Sequence, residues 1–169
     1  MKTKGIRFAV LVSMSGLAAL AGSPAHAQLA PLKQSVAPSS AEKLASQSAE
    51  VDLTGDHQRA LQLADEAIKS DPSEPWGYYD RGDALGNLGR VDDAVAAFGE
   101  AANRFPEADT WGRSVAIWGQ ANALFQMGRC QEAAPAFERY ATFVEKVDRD
   151  AAAMARQFSL QCKSRPNAH

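Results

Sequence analysis

One pattern recurs along this chain at a fixed spacing. Gly55, Ala60, Ala67 and Pro72 return as Gly89, Ala94, Ala101 and Pro106, each 34 positions later. A third copy carries Gly128, Ala133 and Phe137, 39 residues after Gly89, Ala94 and Phe98, which implies about five inserted residues near 109–113. A period in this range demands a stack of supersecondary units, because one unit cannot bury its apolar face alone. A chain built this way points to a binding scaffold more than to a catalyst.

Each unit reads as two antiparallel helices. In the second copy, residues 76–88 form the first helix and Gly89-Arg90 the turn, since glycine accepts the left-handed C-cap conformation without steric cost. Asp92 and Asp93 open the next helix, where negative charge suits the N-terminal end of the dipole. Val91, Val95, Phe98 and Ala102 give it an apolar stripe, and Pro106 ends it. No alternating strand pattern is present, so the expected fold is all-α. The boundaries are a flexible leader over 28–40 and a helical domain over 41–163. Within the domain, repeats cover about 41–74, 75–108 and 109–147. A capping helix over 148–162 covers the last apolar face through Ala151, Ala152, Ala155 and Phe158, and 164–169 is a tail. Pro135 falls inside the second helix of the third copy and suggests that this helix starts late or irregularly.

The residues from Gly82 through Leu85, Gly89, Ala94, Phe98 and Ala101 to Pro106 resemble the signature of the tetratricopeptide repeat family. Gly55-Asp56, Ala60, Ala67 and Asp71-Pro72 match in the first copy, and Ala121, Leu124, Gly128, Ala133 and Phe137 in the third. Ser48 and Val51 depart from the usual glycine and aromatic of copy one, and Tyr140 from a usual small residue in copy three. The resemblance implies a solenoid of about three hairpins whose first helices line a concave groove for an extended peptide or partner segment. Carried over by alignment, that groove is Trp76, Tyr79, Asp80, Asp83 and Asn87 from copy two, with Trp118, Asn122, Phe125 and Gln126 from copy three. Spacings of three and four place each set on one helix face. Packing between hairpins is the competing role for Trp76 and Trp118, and packing or an exposed rim for Trp111. Some family members clamp a C-terminal carboxylate with Lys and Arg. This groove has no such cluster, and Asp80 and Asp83 would repel an acidic tail.

The first 27 residues read as a secretory signal: Lys2, Lys4 and Arg7, an apolar run over 8–21, then Ala25-His26-Ala27 as a cleavage site. An uncleaved anchor is the alternative, but the run is shorter than the roughly 20 residues a membrane span requires. The expected product starts at Gln28 in the bacterial periplasm or outside the cell. Removing the signal leaves 15 Lys and Arg against 20 Asp and Glu, a net charge of −5. That balance argues against nucleic acid or an anionic membrane as partner, and the mature chain has no further run long enough to span a membrane.

Its two cysteines, Cys130 and Cys162, suggest a bridge in an oxidising compartment. Cys130 opens the last repeat's second helix and Cys162 closes the next, so antiparallel packing brings them together. Redox or metal chemistry lacks a C-x-x-C or a nearby histidine. His57, in the first turn, reads as a half-exposed packing residue. No nucleophile–base pair, zinc motif or phosphate loop appears, so neither enzyme activity, cofactor nor metal is expected. The leading function is a non-enzymatic scaffold that binds a protein or peptide. A self-associating structural subunit and an accessory subunit of an envelope enzyme are the alternatives.

Overall fold

A computed structural model describes residues 37–164; the expected signal, most of the leader and residues 165–169 lie outside the described part. Seven helices follow one another there: α1 (Ser40–Asp52), α2 (His57–Ser70), α3 (Pro75–Asn87), α4 (Val91–Arg104), α5 (Thr110–Gln126), α6 (Cys130–Val144) and α7 (Arg149–Ser164). Among the described residues there is no strand, and no helix is long and apolar enough to cross a membrane. The helices pair as α1–α2, α3–α4 and α5–α6, with α7 packed on α6. First helices also touch one another, α1 with α3 and α3 with α5.

Local chemistry sets these limits. Ser39 and Glu42 close a reciprocal capping box on α1, while Asp56 and Asp109 accept the amides of Arg59 and Gly112 to cap α2 and α5. Glu74 caps α3, with Pro75 in its first turn. Gly55, Gly89 and Gly128 hold the three turns at φ of 91°, 76° and 71°, the region that disfavours any side chain. Asp92 and Asp93 lie in the first turn of α4, as the sequence indicates.

Small residues carry the close crossings. Ala60, Ala64, Ala67, Ala94, Ala101 and Ala133 are fully buried. Ser48, the departure in copy one, is fully buried too, and its hydroxyl donates to the Ala60 carbonyl at 2.8 Å. The hydroxyl fits the close crossing because its donor is satisfied there. The five inserted residues add one position to the connection before α5 and a full turn to α5 itself, which has 17 residues against 13 in α1 and α3.

One expectation is corrected and one is extended. Helix α6 begins at Cys130 and runs through Pro135 rather than starting after it. Pro135 is exposed, so its ring stays out of the packed interface. His57 is more than a packing residue: its Nδ1 lies 2.7 Å from Asp52 Oδ1 and ties the start of α2 to the end of α1.

Cys130 and Cys162 form a disulfide, with Cα atoms 4.7 Å apart. The cap, expected over 148–162, extends to Ser164. Beside the bridge, Ser159 and Lys163 both donate to Glu138 Oε1, at 2.7 and 3.1 Å.

Candidate functional site

Helices α1, α3 and α5 lie side by side and form one face, and the depth of its central cleft comes from missing side chains. Phe98, on α4, lies beneath α3 and α5 where they carry Gly82 and Gly119. A Cβ on either glycine would sit 2.8 or 2.7 Å from the Phe98 ring, closer than atoms tolerate. The ring therefore floors a cleft of about 220 Å³ between α3 and α5. Tyr79, Asp83, Asn87, Trp118, Asn122 and Gln126 line its walls. Those six residues, selected from two repeats by alignment, meet at one place.

The other three selected residues do not. Trp76 and Asp80 line a neighbouring cleft of about 430 Å³ between α1 and α3, with Glu42, Ala45, Ser46, Ala49 and Tyr79. Phe125 lines neither. Its ring stands 5.8 and 5.2 Å from those of Phe137 and Phe158 and packs with the C-terminal core. On α5 the face toward α6 and α7 begins one position from the face toward the groove, and Phe125 belongs to the former. Trp118 serves both sides: it walls the cleft while its ring lies 5.3, 5.1 and 5.7 Å from Phe137, Tyr140 and Phe158. Trp111, on the added turn of α5, is 66% exposed at the rim, its ring 5.4 Å from that of Trp76.

Tyr79 joins the clefts. Its ring contacts Trp76 and Phe98 at 5.5 and 5.4 Å, and it also lines a third hollow with Ala49, Asp52, Leu53, Asp80 and Asp83. The part of the face built by α1 and α3 is acidic, through Glu42, Asp52, Asp80 and Asp83. Asp52 is held by His57 and by the amide of Asn87, which donates at 2.7 Å. Asp80 is 6% exposed and has no hydrogen bond or ion pair among the described residues. Burial, and then the negative charges of Asp83, Asp52 and Glu74, push its carboxyl up to about 8. Burial and Asp52 raise Asp83 to about 6, against a hydrogen bond with Tyr79 that lowers it. Tyr79 is itself raised, first by burial and then by Asp83 and Asp80. The α1 contribution, Ala45, Ala49 and Asp52, was missed from the sequence because copy one departs from the repeat signature. The four-residue spacing of Ala45 and Ala49 was the available signal.

Residues 79–113 match the family model for the tetratricopeptide repeat. No curated protein sequence matches the chain. Among solved structures, it is similar to the TPR2B domain of yeast Sti1, in a structure of the TPR2B-domain:pHsp70 complex. The TM-score is 0.61 at 22% identity, over 73% of this chain and 95% of that one.

Proposed function

We propose that this chain, a tetratricopeptide-repeat protein by its fold and by the sequence of residues 79–113, is a non-enzymatic scaffold that receives an extended partner segment along its concave face. One observation carries the reading: six side chains chosen from two different repeats converge on a cleft floored by Phe98. Tyr79 and Trp118 offer aromatic area, while Asn87, Asn122 and Gln126 offer amides that can both donate to and accept from a peptide backbone. The similar yeast domain is seen in complex with pHsp70, which supports occupation of such a face by another protein. The site of action we propose is the bacterial periplasm or the cell exterior, reached through the signal over 1–27. The Cys130–Cys162 bridge is in keeping with an oxidising compartment.

The test is recovery of partners from the envelope fraction under mild crosslinking, with wild type and the Tyr79→Ala/Asn122→Ala double variant compared at equal melting temperature. Loss of recovery in the variant supports the groove. Central anchors typically cost about 2 kcal/mol or more when truncated, roughly thirtyfold in affinity. Equal recovery moves the interface to the convex face or the added turn of α5. A collapsed melting temperature makes these residues core.

A further inference from the structure

We infer that the cleft between α1 and α3 is a cation subsite, and that the partner segment places an arginine side chain there, its guanidinium against Trp76 and Tyr79 and facing Asp80. The inference rests on the groove reading above and specifies its ligand.

Asp80 is the observation that separates this cleft from an ordinary acidic surface. Asp80 is 6% exposed and accepts no hydrogen bond from the described residues, so its carboxyl has given up most of its hydration with no protein donor in its place. Asp80 lines both the α1–α3 cleft and the hollow beside it, so a donor entering from the groove reaches it. Its charged neighbours are all acidic. From α1 come Glu42 and Asp52, the latter held by His57 of α2; from α3 and its cap come Glu74 and Asp83, beside the phenol of Tyr79. No cation pairs with Asp80 among the described residues, since Arg81, next in sequence, turns to Asp65 at 3.0 Å. Anionic ligands are repelled along the whole strip.

The remaining walls choose between cations. Ala45 and Ala49 leave the entrance open, and the Trp76 and Tyr79 rings stand edge to face, 5.5 Å between centroids. A cation over such rings gains from their negative faces. Arginine suits this cleft better than lysine, because a planar guanidinium is more weakly hydrated, stacks on aromatic rings and can still donate to a carboxylate. Pairing requires Asp80 ionised, so at neutral pH binding releases its proton to solvent.

The experiment uses the disulfide-intact chain from Gln28 and capped nonapeptide mixtures. Eight positions are randomised over uncharged residues and the centre is fixed as arginine, lysine, citrulline or glutamate, with amide chemical shifts and apparent Kd as readouts. The expected result is shifts at Trp76, Tyr79 and Asp80, with arginine binding at least tenfold tighter than its neutral isostere citrulline. Asp80→Asn should reduce that preference below twofold while leaving amide shifts outside this face those of wild type. Asp83→Asn, which lines the α3–α5 cleft but not this one, should reduce it less. Arginine affinity should rise between pH 6.5 and 9. Equal binding of arginine and citrulline in the groove overturns the cation subsite and leaves the peptide groove standing. Lysine equal to arginine, or an uncapped uncharged peptide equal to the capped arginine one, overturns the guanidinium assignment. If no mixture perturbs the concave face, the groove reading falls, and this inference with it.

Discussion

At Asp80 a carboxyl that ordinarily titrates near 3.8 is held up to about 8 by burial and by its acidic neighbours. In that window the folded chain keeps a proton that the unfolded chain has already lost. Stability therefore falls as pH rises from about 4 to about 8. Asp83, raised to about 6, adds to the slope over the lower part of the range. Calorimetry of wild type should show a melting temperature that declines across this interval. Asp80→Asn should flatten the decline, melting above wild type at about pH 8 and close to it near pH 4. A variant that melts below wild type at every pH would mean that Asp80 holds a structural hydrogen bond. Its selection with Trp76, Tyr79, Asp83 and Asn87 came from alignment to the repeat family that the sequence resembles, and the spacing only placed the set on one helix face. Its burial was not legible in the sequence, because that depends on α1 lying across it.

Helices were more legible than the faces they present. Three glycines with alanines at fixed offsets located the turns and close crossings, whereas the side of α5 that Phe125 occupies depended on where α7 puts Phe158. Sequence periodicity defines a face only to within one residue, and a cap from outside the repeat decides between the two. Ala94, fully buried between α3 and α4, tests the crossing. Ala94→Leu should overpack it and cost about 1–3 kcal/mol in denaturant titration. The cap α7 is tested at Cys162. The bridge spans 32 positions, and the loop-entropy model assigns about 4 kcal/mol to it. Cys162→Ser should lower stability by no more than that, because Ala152, Ala155, Phe158 and the Ser159–Glu138 hydrogen bond still hold the helix. Helical circular dichroism should be unchanged at room temperature.

Over the whole chain, packing runs between neighbouring helices and from one first helix to the next, so order can be lost from either end. The ends differ. Helix α1 buries only Ala41, Ala45 and Ser48, while α7 is tied covalently to α6. Amide hydrogen exchange should therefore be fastest in α1 among the seven helices, and reduction should raise exchange in α7 with little effect on α3 and α4. Rapid exchange of α3 before α1 would contradict this order. The period of 34 revealed the stack, but not that its middle is fastened through a single ring. Phe98 lies against Gly82 of its own hairpin and Gly119 of the next, and either glycine gains a clash with it on acquiring a methyl group. Gly119→Ala alone should destabilise by about 1–3 kcal/mol, and Phe98→Ala by about 3–5 kcal/mol. Combined, they should cost less than their sum, because the truncated ring no longer meets the added methyl. Substitutions here are thus epistatic: a side chain at position 82 or 119 becomes tolerable only after position 98 has shrunk, and that order of change would fill in the floor of the cleft.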